Sequence, residues 1–590
     1  MAGRAEAQDQ HVYRRSKFPG LGHWRERRIG GSDALELLPC HGAASNLELA
    51  SDQQVTARGR LVRVVATGQC NAGNGHGQSW IRRQSERRVY SFFNGAPSSI
   101  TQFATPYTVL NKVKADLGVF VQDRWTINRL ALNLGLRLDY FNGYVPAQHL
   151  PATPSGWIPE RTFAAVAHAP TWTDLNPRVG ASYDLFGTGR TALKASAARY
   201  VGQMNANVAA ATNPVITSVN SVTRTWNDIN RDYVPNCDLG NFNENGECGP
   251  IADANFGKNN PRATRYDDDV LRGFGVRDYV WDVVFEVEHQ LGSNTSLTLA
   301  YNHNWTDNPA GLRLFNPQAA VGFGTGAIDN LAVTSADYDH FCITAPLDPL
   351  LPRGGGYQVC GLYDVSPAKF GQVDNVVKSQ KNFGERTRTS HFFGATLSSR
   401  VGSRLTLTGN VDTGRIVEDD CFVVDSSQQL LNCRLVSSFE AETLVKVNGS
   451  YRFPGEVTAS GVFQNIPGIT YGAEYRATNA EIARSLGRNL AACGTRPVCN
   501  ATVVVPLVPL GTLYEPRRTQ LDVRLSKAFS FPSRLKLQVD VSVFNVFNSS
   551  AVYRSNFAYG PQWRQPLATS TVGSGVVDGR LVQFGGRVGW

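Results

Sequence analysis

The sequence predicts an all-β chain: a large antiparallel up-and-down transmembrane β-barrel with long extracellular loops. Three observations predict it. Apolar residues alternate strictly with polar ones in many segments, tight turns alternate with long irregular connections, and no run of 18 apolar residues offers a membrane helix. The chain has 590 residues and is 42% hydrophobic. Its mean hydropathy of −0.25 looks soluble, but half of every barrel strand is polar, so a barrel escapes a hydropathy scan.

The alternation is plainest in RLALNLGLRLDY, residues 129–140. Leu130, Leu132, Leu134, Leu136, Leu138 and Tyr140 share one parity, and Ala131, Asn133, Gly135, Arg137 and Asp139 share the other. Period two is that of a strand with one apolar and one polar face. The pattern returns at Val179, Ala181 and Tyr183, at Val283, Phe285 and Val287, at Leu297, Leu299 and Tyr301, and at Leu405 and Leu407. It returns again at Leu521, Val523 and Leu525, and at Leu535, Leu537, Val539, Val541 and Val543. About 14 to 18 strands are countable in this way. The outer apolar positions of such a barrel meet outer-membrane lipid. On the opposite face Arg137, Asp139, Glu286, Glu288, Asp522 and Arg524 are expected to line the lumen.

The connections are of two kinds. LFGTGRT, LGSNTS, VGSRLT, FPGEV and FSFPSRL are tight turns built on Gly, Pro, Asn and Ser. Residues 202–278, 307–386, 414–439 and 464–503 read as long connections. The two kinds alternate, as periplasmic turns and extracellular loops do in a barrel. A soluble sandwich shares the alternation along strands but has no reason to gather its long loops at one end. Aromatics expected at the membrane boundaries are Trp125, Tyr140, Phe141, Tyr144, Tyr183, Phe186, Tyr200, Phe529, Phe531, Phe544 and Phe547. In the last strand, RLVQFGGRVGW, Val582, Phe584, Val588 and Trp590 share one parity. Phe584, Val588 and Trp590 read as the C-terminal signal for the barrel-assembly machinery, in a strand that closes the sheet.

Eight of the ten cysteines fall into close pairs: Cys237 with Cys248, Cys342 with Cys360, Cys421 with Cys433, and Cys493 with Cys499. Each pair sits inside one long connection, which predicts four disulfides in an oxidising compartment. Neither a CxxC pair nor a nearby His at ligand spacing supports zinc. Cys40 and Cys70 stay unassigned. Asp267, Asp268 and Asp269 are weak candidates for a cation, against the plainer reading of solvated or Arg-paired acids. No GxSxG, HExxH, P-loop or GxGxxG signature is present, so neither an enzyme nor a cofactor is expected.

With these features in view, residues 116–142, 175–200 and 537–550 resemble strands of TonB-dependent outer-membrane receptors. The stretch from about residue 89 to 590 is similar to the barrel of Oar-like members. The resemblance implies a barrel of about 22 strands closed by an N-terminal plug, importing substrate with energy from the TonB complex. Residues 1–88 depart from that pattern. They carry 14 Lys/Arg against 8 acids, with no secretory signal and no plug-like pattern. They are expected to be an atypical basic segment, disordered or spurious, with residues 89–590 as the barrel; a nucleic-acid-binding arm is the weaker alternative. Two functions follow. One is an importer of an unidentified bulky extracellular substrate, with TonB as partner only if a plug lies upstream. The other is a non-energised barrel, either adhesin-like or a passive pore, or a truncated receptor fragment.

Overall fold

The computed structural model describes residues 55–57, 60–69, 78–83 and 88–589, apart from 94–95, 106, 155, 203, 205, 308–325, 533–534 and 569–574. Alternation in the sequence becomes one 18-stranded sheet. Four of its strands are short additions: Val55–Ala57, Gln78–Arg83, Arg272–Phe274 and Arg434–Val436. The other fourteen form the wall. They are β1 (Arg60–Gln69), β2 (Tyr107–Ile127), β3 (Leu130–Tyr144), β4 (Thr171–Asp184) and β5 (Thr191–Val201). Next come β6 (Tyr279–Gly292), β7 (Thr295–Asp307), β8 (Thr387–Val401) and β9 (Leu405–Asp419). The last are β10 (Leu444–Phe453), β11 (Val457–Ile466), β12 (Arg518–Ser530), β13 (Lys536–Phe544) and β14 (Leu581–Gly589).

Each wall strand pairs antiparallel with the next. The connections alternate strictly. Residues 128–129, 185–190, 293–294, 402–404 and 454–456 turn tightly at one end, and the Phe531 N–H donates to the Leu535 carbonyl across a sixth short connection there. Asn128 and Gly455 take positive φ there, of 52° and 76°, which a two- or three-residue hairpin turn requires. All the long connections therefore leave from the other end. Three of them, 70–106, 145–170 and 545–580, were not foreseen. Another runs to residue 517 rather than 503, because Thr502–Tyr514 pairs with Thr470–Thr478 in a hairpin outside the wall.

Register lines the apolar residues into rows. One row runs Leu130, Tyr183, Leu193, Val287, Leu299, Ala395, Val411 and Val445, each directly opposite the next. This face is uncovered: Leu138 is 44% exposed, Leu299 48% and Phe285 54%. A continuous apolar face of this extent needs lipid or a partner surface. Among the described residues no second sheet is packed against these leucines, as a sandwich would require.

Three expectations need correction. Phe141 is no boundary aromatic: it is fully buried against Trp172, at a centroid distance of 6.2 Å, under the long connections. Tyr200 and Phe544 have the parity of the polar face; Arg178 lies 4.8 Å over the Tyr200 ring. The sheet also begins before residue 89, since β1 pairs with β2; the remainder of residues 1–87 lies largely outside the described residues. Finally, β14 was expected to close the sheet. Among the described residues it pairs with β13 alone, and its outer edge is open. Phe584 (75% exposed) and Val588 lie on the apolar face opposite Val541 and Leu537; Trp590 lies outside the described residues.

Candidate functional site

The six charged residues expected in the lumen all lie on the face opposite the leucine rows, but they form separate groups. Arg137 Nε donates to Asp139 at 2.8 Å, and Asn176 Nδ2 donates to the same carboxylate at 2.7 Å. Lys194 stands opposite Glu286 in the register and bonds both Glu286 (2.8 Å) and Glu288 (2.6 Å). Arg524 pairs with Asp540 at 2.6 Å. Asp522 accepts from the Asn545 N–H at 2.7 Å and from Gln520 Nε2 at 3.1 Å. On the polar face each of these six residues is thus held by an ion pair or a hydrogen bond.

Where the wall meets the long connections, a buried charge network appears that sequence reasoning missed. Asp174 is fully buried and bonds Arg277 Nε at 2.7 Å and Arg199 Nη2 at 3.3 Å. Arg199 also donates to Asn176 Oδ1 at 2.7 Å and lies 4.0 Å over the Tyr279 ring. By alternation Arg199 belongs with the apolar residues of β5. It escapes that face because β4 and β5 stop pairing at Arg178 and Ala198. Beyond that point comes Pro177, which has no N–H to donate, and the guanidinium enters the gap. Parity alone could not reveal this.

The long connections form an ordered layer with its own cores. In the first half of the chain, Arg88–Phe93, Ala96–Phe103 and Ser221–Thr225 make a three-stranded sheet. Arg224 is buried beside it and donates to the carbonyls of Gly249 (2.8 Å), Asn241 (3.0 Å) and Asn243 (2.8 Å). Burial lowers its guanidinium pKa from the usual value. In the second half, segments from four separate connections share one core. It contains Phe341, Leu362, Ile482, Val505 and Trp563, with Leu431 packed against it. Polar groups there are matched: Tyr357 Oη donates to the Leu507 carbonyl and Trp563 Nε1 to that of Gly472, both at 2.8 Å. Arg488 clamps Asp339 (2.7 Å) and Asp364 (2.5 Å).

All four cysteine pairs are bonded in this layer. Their Cα separations are 5.8 Å for Cys237–Cys248, 4.3 Å for Cys342–Cys360, 4.8 Å for Cys421–Cys433 and 5.3 Å for Cys493–Cys499. Because each lies within one long connection of a meander, all four share one rim. The three aspartates of 267–269 take structural roles instead of converging. Asp267 caps the helical turn Asp268–Leu271, Asp268 pairs with Arg272 at 3.3 Å, and Asp269 accepts from the Ser379 N–H at 3.0 Å and Asn382 Nδ2 at 2.8 Å. Among the described residues no group of three or more His, Cys, Asp or Glu is arranged to hold a metal ion. Chemically, the arrangement is a packed, disulfide-bonded layer above a charged wall.

Residues 51–343 match the family described as "Outer membrane beta barrel domain". No curated protein matches the sequence. Among solved structures, the chain is similar to the outer membrane transporter YddB from Escherichia coli (11% identity, TM-score 0.44, covering 89% of this chain and 53% of that one). It is also similar to the ferripyoverdine receptor of Pseudomonas aeruginosa (11%, TM-score 0.38, 89% and 52%) and to the FrpB iron transporter of Neisseria meningitidis (12%, TM-score 0.37, 89% and 55%). The chain spans about half the length of these structures.

Proposed function

We propose that the chain is a β-barrel of the bacterial outer membrane, the barrel portion of a TonB-dependent receptor that captures and imports a bulky extracellular substrate; the match of residues 51–343 to an outer membrane beta barrel domain supports the first part. One observation carries the reading: the long connections are a packed, disulfide-stapled layer, with segments of four connections sharing the Phe341–Trp563 core. Such a layer suits a ligand-capturing surface, because prior ordering removes the entropy of fixing loops on binding. The TonB complex is the partner implied by the importer reading, and outer-membrane lipid and the assembly machinery are those implied by the barrel. The substrate class stays open among siderophore, glycan fragment and peptide.

The test follows the native protein in living cells. Uptake of labelled siderophores, oligosaccharides and peptides is measured in strains with and without the native gene, each with and without a protonophore. The importer reading expects gene-dependent accumulation of one class that collapses with the protonophore. Gene-dependent uptake that ignores it would establish the passive pore. Surface binding without uptake of any class would establish the adhesin-like barrel.

A further inference from the structure

On the lipid-facing side of the wall, towards its loop end, lies a basic row. Three basic residues lie side by side on adjacent strands: His303 on β7, His391 opposite it on β8, and Arg415 opposite His391 on β9. Their parity is that of the exposed Phe285, Leu299 and Phe393, so they face outward with the leucine rows. The two imidazoles stack at 4.3 Å. His303 Nδ1 donates to the Ser390 carbonyl at 3.0 Å, and the Tyr301 hydroxyl bonds His391 Nδ1 at 2.7 Å. Both Nε2 atoms are therefore left without a partner among the described residues. Arg415 is exposed and makes no ion pair among those residues.

The height of this row is informative. Going up β7 from the tight turn, the outward residues are Leu297, Leu299, Tyr301, His303 and Trp305. At about 3.3 Å per residue, Leu297 and Trp305 are about 26 Å apart along the strand. With a tilt of about 40° that is about 20 Å of height, close to the roughly 25 Å of a barrel's apolar band. Trp305 stacks on Trp281 at 5.6 Å, as aromatic side chains do at the interface. The basic row lies one step below this pair, on the loop side of the membrane, where headgroups meet acyl chains.

We propose that His303, His391 and Arg415, roofed by Trp281 and Trp305, form a binding site for the phosphate-bearing headgroup of an outer-leaflet lipid. The occupant follows from charge complementarity. The Arg415 guanidinium at the top of an apolar face is costly beside hydrocarbon unless an anion meets it, and each imidazole adds an N–H to that anion when its Nε2 carries a proton. Arg is suited to phosphate by its fork of donors. The acyl chains of the same lipid would lie down the rows Tyr301–Phe393 and Leu299–Ala395, with the Tyr301 and Phe393 rings 5.0 Å apart.

The protein in phosphatidylcholine nanodiscs doped with diphosphoryl lipid A tests the site, with retained lipid counted by native mass spectrometry. Dephosphorylated lipid A and free inorganic phosphate serve as separate arms. The expected result is one retained diphosphoryl lipid, bound roughly tenfold more weakly by the variant His303→Leu/His391→Leu/Arg415→Leu and by wild type offered the dephosphorylated lipid. Inorganic phosphate should not displace it. Should the triple variant fail to assemble, Arg415→Gln alone gives the same comparison. Equal retention by wild type and variant, equal retention of both lipids, or displacement by inorganic phosphate would overturn the proposal.

Discussion

The wall and the loop layer solve opposite packing problems. In the wall, hydrogen bonds between neighbouring strands hold the structure, and large side chains such as Leu138 and Leu299 stay exposed for lipid to cover. In the layer, short sheets, hairpins and helical turns replace the long ladder, and Phe341 and Leu362 are fully buried. The water-excluding core of this membrane protein therefore sits in its loops, outside the membrane. Apolar alternation locates a surface here, and the absence of alternation conceals a core.

The largest effect should come where the two regions join. Asp174→Ala strips two buried guanidiniums of their shared carboxylate, and should destabilise the rim by about 3–5 kcal/mol. Chemical unfolding in detergent checks this, and a change under 1 kcal/mol would remove the network from any account of how layer and wall are joined. Within the layer, Leu362→Ala should cost about 2–5 kcal/mol. Trp563 fluorescence should lose cooperativity in that variant while the wall keeps its strand signal.

Reducing the disulfides should weaken the layer by about 2–3 kcal/mol per short loop and leave the wall intact. Limited proteolysis before and after reduction would map new cuts, which should fall only within residues 202–278, 308–386, 420–443 and 467–517. Alkali offers a gentler probe. The hydrogen bond to Glu481 first, and burial second, push the Tyr475 hydroxyl up to about 12. Burial first, and the bond to Asp348 second, push Tyr559 up to about 12. Both phenols hold their proton more tightly in the folded layer. Their contribution is complete below about pH 10 and is lost as pH rises through about 12. Layer stability should fall across that window, and Tyr475→Phe with Tyr559→Phe should flatten the fall. An equal fall in the double variant would assign the loss elsewhere. The smallest effect is expected on the outer wall: Leu138→Ala should stay within about 0.5 kcal/mol in detergent. A loss as large as that of Leu362→Ala would mean that the wall, too, has a dry core.

The sequence by itself determined the wall. Strand positions, the apolar face, the tight turns and the loop-borne cysteines were all legible, because side chains alternate with period two and hairpin turns demand particular residues. Pairs within one connection, such as Cys342 and Cys360, needed no knowledge of the fold. What only the tertiary structure decided is what meets across connections. Phe341 and Trp563 come together from segments more than two hundred residues apart. Arg199 left the face its parity assigned because the β4–β5 ladder ended. Phe141 became core because a long connection folded over it. His303, His391 and Arg415 are three unremarkable residues until register aligns them. Local pattern reports the period of a strand; it carries no information about contacts made by irregular segments, whose positions depend on packing and hydrogen bonds distributed over the whole layer.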